Sequence, residues 1–453
     1  MTYADARTYL STFLNYERVP INAGLPRAFN LTRIRRLLEA MGNPQERFPA
    51  IHLAGTKGKG STAVLLERTL REAGYRTGLY VQPHLLSPRE RIVVGGRAIG
   101  RLQFVTLLER FLPLLERFRE TEAGRLTYFE VFTALAFEEF ARSGVQVAVV
   151  ETGLGGRLDA TNVLCPILSV ITPIGYDHQQ VLGETLPEIA AEKAGIIKPG
   201  VPVVCGLQPE PAYRVLREEA ERRGAPWTDA GREVVAKRIG IVERRERAVL
   251  SLGERSYRVA LKLLGAHQVG NAATALAAVA VLRRNGWTIP DAAVLRGFQD
   301  AWIAARVDCS RLDDGRPLVL DGAHTPESAR ALRSVLEELW PGYRFSFLVG
   351  MARDKDLQSF AAVLAPIAQE AIFTRTRVNP RAADPEALQE AWTARGVPTQ
   401  TVARLDEGVR VATGPVVCVT GSVHFVGAAL KQIAPWAKER WSHEIGLGTE
   451  EIA

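Results

Sequence analysis

Gly55-Thr56-Lys57-Gly58-Lys59-Gly60-Ser61 puts three glycines, two lysines and a terminal hydroxyl into one short stretch. Glycines let successive backbone N–H groups turn toward an anion without a Cβ in the way. Lys59 is then placed to reach the terminal phosphates of a nucleotide, and Ser61 to offer its hydroxyl to magnesium. Gly60 stands between the lysine and the serine, one residue more than the commonest spacing. Three further polar sites are Glu151, Asp177-His178 and the run Asp321-Gly322-Ala323-His324. Glu151 suits magnesium as an oxygen ligand, and a helix cap or surface carboxylate is its plainer alternative. Asp177-His178 offers a metal ligand, an acid–base group or a hydrogen-bonded structural histidine. Lys193 reads as a solvated helix lysine, Asp321 as a turn cap, and Met351-Ala352-Arg353-Asp354-Lys355-Asp356 as a solvated charged loop.

These groups need elements to hold them. Ile51–Ala54 is an apolar run that reads as a buried strand, and helical spacing begins at Ala63. Strand, glycine loop and helix together hold phosphate, because the helix N-terminus adds partial positive charge. Before it, residues 1–48 have helical spacing. After it come a strand over 77–81 and a proline-punctuated loop over 82–92. A helix follows over 101–120, and another runs from about Thr127 to Gly144. Strands are predicted over 145–150, 167–171 and 201–205, a hairpin over 248–252 and 257–263, and an alanine-rich helix over 271–284. A boundary near 297–305 precedes a fresh α/β series with strands over 318–320, 345–349, 371–374 and 416–420. Alternating strands and helices imply a parallel sheet with its chemistry at the strand C-termini. Lys59/Ser61, Glu151 and Asp177/His178 each follow such a strand.

The chain of 453 residues is long enough for two or three domains. With 47% hydrophobic and 24% charged residues it has the composition of a soluble globular protein. Cys165, Cys205, Cys309 and Cys418 show no paired spacing, which argues against disulfides or a zinc site and suits a reducing cytoplasm. The first residues lack the order of a signal peptide, and no stretch is apolar for long enough to span a bilayer. The net charge of +7 is dispersed, without a basic tail. That disfavours nucleic acid and points to a few cations aimed at a small anion.

Taken in order, the motifs resemble the folylpolyglutamate synthase/dihydrofolate synthase family, within the wider Mur ligase group. The matching stretches are Gly55–Ser61, Pro83-His84-Leu85 with Arg89-Glu90-Arg91-Ile92, Thr127–Glu130, Glu151–Asn162, Asp177-His178, Glu192–Lys198, Gly265–Gln268 with Asn271, Arg306, and Asp321–His324. The resemblance implies an α/β fold of two domains. Residues 1–300 would be a P-loop ATPase domain of Mur ligase type, with a parallel sheet and the folate site. Residues 301–453 would be a Rossmann-like domain that binds glutamate and closes over ATP. It implies an ATP-dependent amide ligase that adds L-glutamate to folate through an acyl phosphate, and also to dihydropteroate. A monofunctional folylpolyglutamate synthase, or another Mur-type ligase, is the alternative.

By the same resemblance Gly55, Thr56, Gly58, Lys59, Gly60 and Ser61 hold the phosphates of ATP. Ser61, Glu151 and His178 ligate Mg2+, and Lys193 is carbamylated and binds a second magnesium. His267, Gln268 and Asn271 sit by the adenine; Arg306, Asp321 and His324 close on the ribose and phosphates. Lys59, Lys193 and His324 are the catalytic groups. Thr127, Phe129, Asp159 and Ala160 line the pteroate site, although Phe129 reads equally well as core. The expected partners are a folate or dihydropteroate and L-glutamate, with no nucleic acid and no membrane, for a cytoplasmic monomer. Lys57 and Gln82 depart from bacterial members, which commonly carry Asn and Ser there, and this bears on the acceptor rather than on the ATP chemistry.

Overall fold

The strand Ala50–Ala54 lies inside an eight-stranded sheet, with Val147–Glu151 on one side and Leu168–Ile171 on the other. The computed structural model describes residues 1–16, 29–374 and 380–433. Beyond Leu168–Ile171 come Val203–Cys205 and Trp227–Asp229; beyond Val147–Glu151 come Thr77–Tyr80, Ile92–Val94 and Arg97–Ala98. All pairings are parallel as far as Thr77–Tyr80, and the last two strands are antiparallel to their neighbours. Every residue of Ala50–Ala54 and of Val147–Glu151 is buried, as both faces of a parallel sheet are covered. Leu53 pairs with Glu151, so that carboxylate stands in register with the approach to the glycine loop.

Gly58, at φ +81°, precedes the helix Lys59–Glu72. A Cβ there would collide with Asn271 Oδ1, so both the backbone angle and the space demand glycine. The helix packs through Leu65, Leu66 and Leu70 into a core shared with Ala266–Arg284 and Asp291–Asp300. The alanine-rich helix starts at Ala266, five residues before the predicted Asn271, because His267 and Gln268 belong to its first turn. The predicted hairpin gains a third strand, Val234–Val242, whose mostly exposed residues carry no apolar alternation.

The later α/β series forms a six-stranded sheet in the order Asp308–Arg311, Pro317–Leu320, Val416–Thr420, Phe345–Val349, Ala368–Thr374, Thr399–Val402. Its first pair is antiparallel and the rest parallel. The two outermost strands were not legible in the sequence. Of the helical spacing expected over 1–48, Tyr3–Ser11 and Thr32–Ala40 form helices, and 17–28 lie outside the described residues.

The loop 82–91 joins two strands of the first sheet, Thr77–Tyr80 and Ile92–Val94, and reaches out to the later core on the way. Leu85 and Leu86 are buried in the later core with Phe425, Val426 and Leu430. The helix Val423–Ile433 comes so close that a Cβ on Gly427 would strike the Leu85 carbonyl.

Thr127 caps the helix Tyr128–Arg142 in a reciprocal box with Glu130. Glu130 is also paired with buried Arg33, Nε to Oε1 at 3.0 Å. Arg33→Ala would leave a buried carboxylate without its cation. The expected loss is about 3 kcal/mol in urea unfolding at pH 7, the cost of breaking a buried pair.

Candidate active site

The glycine loop is held by two lysines that share one acceptor. Lys59 Nζ donates to the Gly55 carbonyl at 3.1 Å, and Lys193 Nζ donates to the same oxygen at 2.9 Å. Lys193 comes from the last turn of Leu186–Ala194 and is only 4% exposed, so its reading as a solvated lysine fails. Burial, and then the charge of Lys59, push its pKa down to about 7. The backbone N–H groups of Thr56 and Lys57 both donate to Pro173 O.

Glu151 is 5% exposed at the end of its strand, which rules out the surface-carboxylate reading. Its Oε2 accepts from Gln82 N at 3.2 Å, and its Oε1 has Lys59 Nζ 3.8 Å away. Burial raises its pKa, and Lys59 opposes that rise. Gly60 is the neighbour of this carboxylate: a Cβ there would stand 3.5 Å from Glu151 Oε2. Ser61 is buried in the first turn of the same helix. Among the described residues no three His, Cys, Asp or Glu side chains gather as a metal cage. A single buried carboxylate, a hydroxyl and the phosphates of a nucleotide are a donor set that magnesium accepts, because it keeps several waters. Glu151 and Ser61 therefore fit the ion. His178 has φ +52° and a side chain 41% exposed, and its Nε2 lies 3.8 Å from Asp177 Oδ1.

Asp177 collects cations from both sheets. Lys57 Nζ is 3.8 Å away and Lys355 Nζ 3.3 Å away. Burial alone would raise this carboxyl, but His178, Lys355, Lys57 and His324 outweigh burial and hold it well below its usual range. The charged loop after Gly350 is thus not simply solvated: Lys355 reaches across to the first half of the chain. Its place just past the strand Phe345–Val349 is the sequence signal that marked Glu151 and Asp321. Lys57 Nζ also reaches Thr325 Oγ1 at 3.4 Å.

Asp321 is buried, and each oxygen takes a backbone donor: Oδ1 from Ala323 N at 2.8 Å and Oδ2 from Val307 N at 2.9 Å. The turn-cap reading describes these contacts. The Oδ2 contact also pins Val307, and Gly322 N holds the Ala305 carbonyl at 2.9 Å; these two residues flank Arg306 with φ of +47° and +55°, a rare angle for a β-branched residue such as Val307. Arg306 lowers the pKa of both Glu151 and Asp321, so its charge reaches both halves of the site. His324 Nδ1 lies 2.8 Å from Gly322 O. Burial and Lys355 push its pKa down to about 4, so the ring is neutral at pH 7. A carbonyl only accepts, so Nδ1 carries the proton and Nε2 keeps its lone pair.

Gln268 is hydrogen-bonded to both His267 and Asn271, and Asn271 lies against Gly58, so this trio borders the loop. Asp159 is fully engaged within the chain: Oδ2 accepts from Gly153 N and Leu154 N at 2.8 Å, and Oδ1 from Thr161. It shapes the glycine turn after Glu151. Ala160 is buried in the short turn that follows. Thr127 is occupied as the helix cap described above. Phe129 is half-buried, stacks on Tyr80 with centroids 6.1 Å apart, and borders Gly153.

A phosphate loop at the end of one largely parallel sheet is thus met by residues from a second α/β sheet. Residues 53–279 match the Mur ligase middle domain, and residues 305–423 match the Mur ligase glutamate ligase domain. The dihydrofolate synthase/folylpolyglutamate synthase of Bacillus subtilis (strain 168) is 33% identical over 441 residues, 95% of this chain and 99% of that protein. The solved Mycobacterium tuberculosis folylpolyglutamate synthase complexed with ADP superposes with a TM-score of 0.85 at 32% identity, covering 95% of this chain and 98% of that one. A solved folylpolyglutamate synthase–AMPPCP–folate complex gives a TM-score of 0.79 at 28% identity, covering 95% of this chain and 99% of that one. The chain belongs to the folylpolyglutamate synthase/dihydrofolate synthase family.

Proposed function

We propose that the protein is an ATP-dependent ligase that joins L-glutamate to a folate. The observation that carries this reading is the pairing of Lys59 and Glu151 beside the glycine loop, in a chain that matches its relatives over nearly its whole length. In the reaction, a folate carboxylate attacks the γ-phosphorus of ATP, giving an acyl phosphate and ADP. The glutamate amine then attacks the acyl carbon, an amide forms, and phosphate leaves with the C–O bond broken. Such chemistry depends on positioning and on neutralising charge.

Lys59 faces the terminal phosphates, and the stretch Gly55–Ser61 holds the chain of phosphates, with the Thr56 and Lys57 amides fixing the loop through Pro173 O. Ser61, Glu151 and His178 would hold magnesium, which supplies charge neutralisation when bound. Lys193, as a carbamate, would hold a second ion. His267, Gln268 and Asn271 border the adenine, and Arg306, Asp321 and His324 approach the ribose and phosphates from the later sheet. Phe129 stacks the pterin, while Thr127, Asp159 and Ala160 shape the wall behind it. Residues 1–300 act as the ATP and folate domain and 301–453 as the closing, glutamate-binding domain. The working unit is a single chain in the cytoplasm.

Dihydropteroate as a second acceptor is supported by the name of the Bacillus relative. One comparison tests both acceptors: purified protein with magnesium, ATP and L-glutamate, given tetrahydrofolate or dihydropteroate. Acceptor-dependent phosphate release is expected with tetrahydrofolate. No release with either acceptor would sink the reading.

A further inference from the structure

Glu338 stands near the end of the helix Pro326–Leu339, on the half of the chain that carries Asp321 and His324. Its carboxylate accepts from Arg238 Nη2 at 2.6 Å and from the Ile241 backbone N–H at 2.8 Å. Both donors belong to the antiparallel strand Val234–Val242, whose register shifts between Arg238 and Gly240. That shift is a bulge, with Gly240 at φ +128°. A Cβ on Gly240 would lie 3.2 Å from Glu338 Oε1, so the glycine lets the carboxylate in. The bulge therefore aims a guanidinium and an amide hydrogen at one carboxylate from the other half of the chain.

Arg238 has a second partner. Its Nε lies 2.7 Å from Oε1 of Glu246, which is fully buried. Glu246 Oε2 in turn accepts from the Gly265 backbone N–H at 3.0 Å. Gly265 is the residue before Ala266–Arg284, the helix of His267, Gln268 and Asn271. The helix of Glu338 also approaches Gly265 directly, since a Cβ there would lie 3.0 Å from Val335 Cγ2.

We propose that Arg238 is a positioning residue for nucleotide binding. Held between Glu338 and Glu246, it sets the spacing between the Gly265–Asn271 stretch and the Asp321–His324 turn. This rests on the reading that ATP lies between those two stretches. An isolated surface pair would do little. This one ends on a buried carboxylate, and the planar guanidinium spans two acceptors in a fixed geometry, which a lysine cannot copy.

Glu338→Ala removes this carboxylate link and leaves Arg238 on Glu246. The expected loss of AMPPCP affinity, by calorimetry with magnesium, is about tenfold, within the usual range of coupling between sites. The KM for ATP should rise by the same factor with kcat within about twofold, the pattern of lost binding rather than lost chemistry. Arg238→Ala should lose at least as much, and the double variant no more than Arg238→Ala, because the pair acts as one unit. Arg238→Lys should recover only part. Unchanged AMPPCP affinity in Glu338→Ala overturns the proposal, and so do additive losses. If Arg238→Ala does not fold, Glu338→Ala decides alone. AMPPCP binding requires no acceptor, so a wild-type protein that binds it without folate-dependent turnover refutes the proposed function and leaves this test standing. A wild-type protein that does not bind it overturns both.

Discussion

Lys193→Ala should lower kcat by about 10³-fold while AMPPCP affinity stays within about threefold, the pattern expected when charge stabilisation of the reacting group is removed. The site itself supports the size of this effect. Lys193 is buried, its amine donates to the Gly55 carbonyl, and its pKa is pushed down to about 7 by burial and by Lys59. At neutral pH a large fraction of the amine is therefore uncharged, the form that can add carbon dioxide. The rate should rise with pH through about 7 and respond to added bicarbonate. The sign for stability follows separately. Between about 7 and 10.5 the unfolded chain holds a proton that the folded site has lost, so stability from this residue grows as pH rises. Parallel calorimetry and steady-state kinetics check the prediction. A variant that loses nucleotide binding first, or keeps its turnover, contradicts it.

The second large effect separates activity from stability. Glu151→Gln should lower kcat by at least about 10²-fold and raise the magnesium concentration needed for half-maximal rate, because it removes the buried carboxylate that faces Lys59 and Gly60. The same change should not lower the melting temperature at pH 8. Burial raises the pKa of Glu151, so its ionised form costs folding free energy above its ordinary range. A glutamine keeps the shape and the acceptor for Gln82 N without that cost. Active sites commonly hold such groups at the expense of stability. A fall in melting temperature matching the fall in rate would show Glu151 to be structural instead.

Much of this site was legible because its residues sit at strand ends, and strand ends are marked locally by an apolar run broken by glycine or a charge. Lys59, Glu151 and Asp321 all carried that mark. What local pattern did not supply was the partner across the fold. Lys193 and Lys355 look like ordinary helix and loop lysines until Gly55 and Asp177 come to meet them from over a hundred residues away in sequence. The reverse happened at Thr127 and Asp159. The resemblance puts them at the pteroate site, and local pattern does not show that the chain also uses their oxygens for its own backbone. Among the strands, Val234–Val242, Asp308–Arg311 and Thr399–Val402 were missed because all three lie at sheet edges. One exposed side leaves little apolar alternation to read.

The burial of Leu85 and Leu86 among Phe425, Val426 and Leu430 has a consequence for how such a chain can be rearranged. Cut near residue 300, each fragment would show a greasy scar: two leucines on one, an empty socket on the other. Chimaeras that graft the later portion of one relative onto the front of another must therefore carry matched sequences at both places. Natural recombination would meet the same constraint, so the two portions should drift together as lineages diverge.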